Sequence, residues 1–312
     1  MLYVSVSSDS TYVMIYFEKP ANYKLVHGQY VFLNVPCIHP FQWHPFTVAS
    51  SPNNPYLVLM IKKAGDWTGK LIQELYERKK QLMMFNELKL DGFNEYDIFN
   101  MLHDLHQELP LEEAKARNCL FYPHIKISRA CATPNDTFIG RKNIVLVGAG
   151  SGISPYLPLL EEVIRKDKGE KVKYDFESAK VIFVAREGEQ ISWVSNYLFH
   201  VLNSACISNH VEFNVFITLN KNDETLPSFL FWRAFTLLNL KREEEHNSSS
   251  LKICLGRPNF QKLIDQICSD SSCPKTYVYA CGPEAMTDAV EKICLQKSDD
   301  KNHKIIFNYE VF

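Results

Sequence analysis

NIVLVGAGSGISPYLPLLEEVIRK, residues 143–166, sets an apolar strand, NIVLV, directly before Gly148-Ala149-Gly150-Ser151-Gly152-Ile153-Ser154-Pro155 and then a segment of helical apolar spacing. Glycines let the backbone turn sharply and approach a pyrophosphate, while free N–H groups at a helix N-terminus favour an anion. Ser154 stands where an N-cap is expected, and Pro155 at the first helical position. The alternative is a glycine-rich strand-to-helix turn that holds no ligand.

Downstream the same texture repeats. AKVIFVA, EFNVFITL, LKICL, TYVYA and KIIFNYEVF read as strands, and ISWVSNYLFHVLNSA, LPSFLFWRAFTLLNL, NFQKLIDQI and EAMTDAVEKICLQ as helices between most of them. Repeated β-α-β order with short connections demands right-handed crossovers and a parallel sheet covered on both faces. KREEEHNSSS (241–250) reads as a solvated surface loop.

Upstream, residues 1–63 show short β-rich runs divided by turn residues: LYVSV, YVMIYF, QYVFLNV after Gly28, and PYLVLMI after Ser51-Pro52-Asn53-Asn54. That spacing predicts an antiparallel barrel or sandwich. Leu71, Ile72, Leu75 and Tyr76 recur at helical spacing, so Thr68 is expected to cap a short helix. Residues 80–118 read as an insertion, with an amphipathic helix near EYDIFNMLHDLHQEL. The domain boundary is expected near 140, in ATPNDTFIGRKN.

At 312 residues the chain has room for two domains at roughly 100–200 residues each. Lys+Arg 34 against Asp+Glu 36, a net charge of -2, gives no electrostatic case for nucleic acid. Nine cysteines in an odd, scattered set without C-x-x-C spacing argue against a disulfide framework or a zinc site, and read as reduced thiols. His103 and His106, an H-x-x-H, read as surface residues rather than metal ligands. No run approaches the ~18 apolar residues of a membrane helix, so the chain as given is expected to be soluble.

Three further positions carry chemistry. Arg186 follows AKVIFVA, where an arginine suits a ribose 2′-phosphate and favours NADPH over NADH; Glu187 beside it keeps a plain surface role open. Cys281-Gly282-Pro283-Glu284 follows TYVYA at the carboxyl end of a parallel strand, where such sheets bind ligands, though a buried cysteine there also suits simple packing. His44-Pro45-Phe46-Thr47 joins a phosphate partner, a flat ring and a hydroxyl; its plainer reading is a strand edge with a buried Phe.

In this order the motifs resemble the ferredoxin-NADP reductase superfamily, and within it the dehydrogenase domain of the NADPH oxidase and ferric reductase family. The resemblance runs over nearly the whole chain, on GQYVFLNVP (28–36), WHPFTVAS (43–50), GDWT (65–68), LVGAGSGISP (146–155), the Arg186 strand, LGRPNF (255–260), YACGPEAM (279–286) and NYEVF (308–312). Gly-Arg-Pro-Asn at 256–259 and the final Glu-x-Phe point to the oxidase branch.

The resemblance implies two domains: residues 1–140 as an FAD-binding antiparallel β-barrel, and 141–312 as a Rossmann-like α/β domain binding NADPH. By it, His44 would lie at the flavin pyrophosphate, Phe46 would pack on the isoalloxazine, Thr47 would hydrogen-bond near flavin N5, and Pro45 would be a further cofactor-binding residue. Lys62, where the family usually has arginine, and Thr68 would serve the FAD phosphates. Gly148, Gly150, Gly152 and Pro155 would cradle the NADPH pyrophosphate, with Arg186 and Arg257 at the 2′-phosphate. Cys281, with Gly282 and Pro283, and Glu310 would border the nicotinamide, and Phe312 would cover the flavin until NADPH displaces it.

The implied chemistry is hydride transfer from NADPH to FAD, with no metal needed, and then single-electron release to haems of a transmembrane domain and to oxygen, giving superoxide. That haem-bearing domain would precede residue 1, and the chain would work on the cytosolic face of a membrane with regulatory proteins as further partners. A ferric-chelate reductase differs only in the final acceptor. A soluble flavin reductase and a non-catalytic docking module remain as alternatives. The family's Asp-Gly-Pro-aromatic-Gly turn is replaced at matching spacing by Ser128-Arg129-Ala130-Cys131-Ala132, so the backbone there is expected to take a different path. Asp91-Gly92-Phe93 has the motif's flavour but lies too far upstream.

Overall fold

The computed structural model describes residues 3–6, 10–86, 122–132, 140–172, 176–186, 188–194, 197–198, 200, 204, 207, 209–218, 250–270, 275–298 and 304–311. The chain parts into two compact units, Met1–Thr133 and Pro134–Phe312. Glu187, Phe312, His103, His106, Asp91-Gly92-Phe93, the expected helices near 95–109 and 226–240, and most of the 241–250 loop lie outside the described residues.

The first unit is built from strands β1 (Tyr3–Val6), β2 (Tyr12–Glu18), β3 (Tyr30–Asn34), β4 (His44–Thr47), β5 (Tyr56–Lys62) and β6 (Lys126–Ile127), with helix α1 (Asp66–Asn86). They make two antiparallel sheets, ordered β1-β2-β5 and β4-β3-β6. The sheets meet where Val48 bridges Leu59 and the Ala49 N–H donates to the Val58 carbonyl at 2.8 Å. Val13, Ile15, Leu33, Leu59 and Ile61 close the core together with Leu71 and Leu75 of α1. The apolar spacing of α1 thus does its expected work, but the helix runs 21 residues rather than being short. Thr68 lies inside its first turn and not at the N-cap. Its hydroxyl accepts the N–H groups of Ala64 and Gly65 at 2.9 and 3.0 Å and donates to the Gly65 carbonyl.

Strand β6 is too short to be read from sequence, and it carries the segment that departs from the family. Ile127 stands opposite Leu33, yet Cys131 bridges Tyr30, so residues 128–130 face only residues 31–32. One extra residue on one side of an antiparallel ladder is a β-bulge. Ser128 makes it tolerable: its Oγ accepts the Phe32 N–H at 2.9 Å, its own N–H donates to the Phe32 carbonyl, and the Tyr23 hydroxyl donates to its carbonyl. The different path is therefore a bulged strand.

The second unit contains β7 (Asn143–Ala149), a 3₁₀ turn (Gly150–Tyr156), α2 (Leu157–Asp167), β8 (Ser178–Ala185), a 3₁₀ turn (Gly188–Val194), β9 (Val211–Ile217), β10 (Leu251–Leu255), α3 (Phe260–Asp270), β11 (Lys275–Gly282), α4 (Glu284–Ser298) and β12 (Lys304–Val311). Its six described strands run parallel in the order β10-β9-β8-β7-β11-β12. Ile144 to Val147 are buried without alternation, as a strand covered on both faces requires.

Two local expectations are corrected. Ser154 caps nothing, because the chain continues through the 3₁₀ turn and α2 begins only at Leu157. Burial of Ile153 and Tyr156 draws the loop tightly inward, and Pro155 sits inside that turn instead of opening the helix. In addition, β11 extends through Cys281 and Gly282, so those residues end the strand rather than follow it.

Candidate functional site

The order of the parallel sheet reverses at β7: the chain steps outward through β8, β9 and β10, then returns to lay β11 on the other side of β7. At such a switch point the loops diverge and leave a crevice beyond the carboxyl ends of the strands. The register puts Gly148 beside Cys281 and Cys281 beside Glu310 in one row across β7, β11 and β12 at that end. Residues separated by about 130 positions in sequence are brought together by strand pairing alone.

Glycine is needed at Gly148 for close approach. A Cβ there would lie 2.9 Å from the Ile153 Cα and 3.0 Å from the Gly152 carbonyl oxygen, both backbone atoms. Gly282 is pinched similarly, since its Cβ would meet the Ala149 Cβ at 3.0 Å. At Gly150, by contrast, φ is +53° and no described residue lies within 4 Å of an added Cβ. The loop therefore presents bare backbone to open space in front of a helix, which fits a pyrophosphate. Gly152 and Pro155 are buried in the turn behind it and shape it.

Beneath this row the surroundings are apolar. Cys281 is buried, and burial first, then the Glu310 carboxylate, push its thiol well above the ordinary range. The thiol stays protonated and is no nucleophile. Tyr156, fully buried in the 3₁₀ turn, is raised in the same way, with Cys281, Glu310 and Tyr279 adding to the effect of burial. Sequence reasoning did not single out Tyr156; only the coincidence of a tyrosine with a buried turn reveals it. Iodoacetamide at about pH 8 is expected to label the exposed Cys37 and Cys254 of the folded protein and to spare Cys281 until it unfolds. Labelling of Cys281 at the rate of Cys37, followed by peptide mass mapping, would contradict a buried, neutral thiol.

Arg186 is exposed at the carboxyl end of β8, one strand from the glycine loop, and its backbone N–H donates to Gln190 Oε1 at 2.9 Å. Arg257 is also exposed, beyond β10 and two strand positions further out, roughly 10 Å sideways at normal strand spacing. Gly282 and Pro283 lead into α4, whose first turn carries Glu284.

In the first unit β4 pairs, among the described residues, only with β3, placing His44 opposite Leu33 and Thr47 opposite Tyr30. Pro45 suits that edge because it has no N–H to lose. Alternation sends His44 and Phe46 to one face, where both rings meet Trp67 of α1, at centroid distances of 4.2 and 6.0 Å. Phe46 is half-buried against the core, in line with the plainer reading of that tetrapeptide. Lys62 ends β5 in solvent.

His44 Nε2 and Trp67 Nε1 are both buried without a hydrogen-bond partner among the described residues. An unmet buried polar atom costs about 1–3 kcal/mol, so this pair fits a ligand that offers it hydrogen-bond partners. Burial, and then His39, lower the pKa of His44, which keeps its imidazole neutral. A neutral ring offers one donor and one acceptor to a nucleotide rather than a full charge. The GDWT segment implies no role for Trp67, yet its indole meets both the His44 and the Phe46 ring and organises this corner.

Residues 1–113 match the family model of an FAD-binding domain and residues 141–295 that of a ferric reductase NAD binding domain. Among curated relatives, a superoxide-generating NADPH oxidase heavy chain of Dictyostelium discoideum is 25% identical over 93% of this chain and 37% of its own length. Human NADPH oxidase 3 is 22% identical over 94% of this chain and 45% of its own. The chain therefore spans less than half of these relatives. Among solved structures, a ferredoxin NADP+ reductase from Neisseria gonorrhoeae with bound FAD and NADP aligns over 96% of this chain and 93% of that one, at TM-score 0.51 and 14% identity. The flavohem-like FAD/NAD binding domain of a Vibrio cholerae nitric oxide dioxygenase aligns over 100% and 96%, at TM-score 0.52 and 12% identity. Both share the fold.

Proposed function

Because the chain belongs to the NADPH oxidase and ferric reductase family, we propose that it is the FAD-dependent dehydrogenase domain of an NADPH oxidase, with 1–140 binding FAD and 141–312 binding NADPH. The observation that carries this reading is the Gly148–Cys281–Glu310 row at the switch point, with bare backbone at Gly150 in front of it. Bound FAD would supply the chemistry, accepting a hydride from NADPH and passing electrons singly, in this reading to haems of a transmembrane domain and on to oxygen.

The chain's own residues bind, orient and exclude water. Gly148 and Gly150 admit the NADPH pyrophosphate, and Arg186 with Arg257 holds the 2′-phosphate. The neutral Cys281 thiol gives the nicotinamide an uncharged, dry wall, and Glu310 offers a carboxylate to its amide. In the first unit, His44, Pro45, Phe46 and Thr47 would hold the flavin and Lys62 its phosphates, while Thr68, whose hydroxyl is fully engaged by Ala64 and Gly65, shapes the turn before α1. No described group is asked to move a proton.

The match to a ferric reductase NAD binding domain supports a second reading, in which the same electrons go to ferric iron. One experiment tests the shared core. FAD is titrated into the purified chain up to high micromolar concentration, and the bound flavin is bleached anaerobically with NADPH and then NADH. Binding followed by bleaching that prefers NADPH is the expected result. Neither flavin binding nor NADPH oxidation would leave a docking module with a redox fold, and the bulge at 128–131 would then be its mark of divergence.

A further inference from the structure

Residues 35–43 join β3 to β4 and are held by one side chain. Asn34, only 1% exposed, shares its amide hydrogens among the carbonyls of His39, Pro40 and Gln42, at 3.1, 3.2 and 2.8 Å. The N–H groups of Ile38 and His39 both bond the Val35 carbonyl, and the Phe41 N–H donates to His39 Nδ1. With its carbonyls drawn inward, the loop pushes its side chains outward: Phe41 is 84% exposed and Trp43 45% exposed. Among the described residues, Phe41 has one edge-on ring neighbour, His39. Nothing in that clamp requires an aromatic at Phe41 or Trp43, because it holds backbone atoms of the loop and the His39 ring. A rigid apolar tip held in water marks a surface that meets something else.

The charge around the tip identifies what. No carboxylate side chain occurs between Glu18 and Asp66, nor within 122–132. Register places Lys126 opposite Asn34, at the end of the sheet where the loop emerges, and His124 is exposed just before it. A stable protein partner needs about 800 Å² from each side, more than two rings on a narrow loop provide. An anionic lipid surface needs only a protruding aromatic tip with cations beside it.

We propose that the 35–43 loop is an interfacial anchor, with Phe41 and Trp43 entering the headgroup layer of an anionic phospholipid membrane and Lys126 and His124 meeting its phosphates. The anchor goes beyond the redox assignment and stands without it. Phe41 is not among the residues assigned above to flavin or NADPH, so its variants separate the two.

The test is co-sedimentation of the whole chain with vesicles of phosphatidylcholine alone and of phosphatidylcholine with phosphatidylserine, at low and high salt. Binding is expected on the anionic vesicles and weakened by salt. Phe41→Ser is expected to lower it about tenfold or more, and Phe41→Trp to restore it. Lys126→Glu is expected to lower it about fivefold or more. Thermal melts and FAD titration of Phe41→Ser should match the parent chain. No binding to anionic vesicles, or equal binding by Phe41→Ser, would overturn the anchor. So would a protein contact at the same loop, seen as self-association that Phe41→Ser abolishes without any vesicle binding by the parent.

Discussion

Gly148→Ala is expected to weaken NADPH binding by about 100-fold or more and to lower the stability of the second unit by roughly 1–3 kcal/mol. The new methyl would enter at 2.9 Å from the Ile153 Cα and 3.0 Å from the Gly152 carbonyl oxygen. Neither neighbour has a rotamer to change, so relief must come from moving the backbone of the 3₁₀ turn. That turn holds Ile153 and Tyr156 in the core and Gly150 open to the pyrophosphate, so packing and binding fail together. Gly150→Ala makes the comparison informative. No described residue lies within 4 Å of its Cβ, but φ is +53°, so the cost is left-handed strain of about 1–2 kcal/mol without collision. Denaturant melts and NADPH titration, with FAD absorbance reporting on the first unit, distinguish the cases. Gly148→Ala with parental NADPH affinity would remove the loop from the nucleotide site.

Arg186→Ala is expected to cost about 10–100-fold in NADPH affinity, the worth of a charge-assisted contact to a phosphate, and to leave NADH within a factor of about two. Arg186 is exposed, and it is its backbone N–H that Gln190 Oε1 accepts, so the turn after β8 keeps that bond when the side chain is cut. That turn bond is therefore kept while selectivity falls. Arg186→Lys retains charge but loses the planar fork, and should fall between the two. Equal losses for NADPH and NADH would assign Arg186 to the fold instead of the 2′-phosphate.

Much of the second unit is legible in the order of residues. Uninterrupted apolar runs such as NIVLV and AKVIFVA are characteristic of parallel strands buried on both faces, and turn glycines bound the first of them. Less regular features are hidden because their cause is not local. Strand β6 is two residues long and exists because β3 offers it an edge. Ser154 has good cap chemistry, yet core burial of its neighbours Ile153 and Tyr156 keeps the chain in a 3₁₀ turn past it. Thr68 organises the turn before α1 from within the helix, a role that the apolar spacing alone does not distinguish from a cap.

Which segments become strands, and where glycine must stand in the βα turn, follows from the order of residues, since backbone sterics and apolar pattern both act over a few positions. Which distant side chains share an environment does not. Cys281 and Glu310 become neighbours through strand register. His44 and Trp67 meet because α1 brings the Trp67 ring against β4. Burial, a property of the whole fold, then sets the protonation of Cys281 and His44 and leaves the ring nitrogens of His44 and Trp67 without partners among the described residues. Periodicity carries no information about that dielectric environment, because it arises only when chain segments far apart in sequence exclude water together.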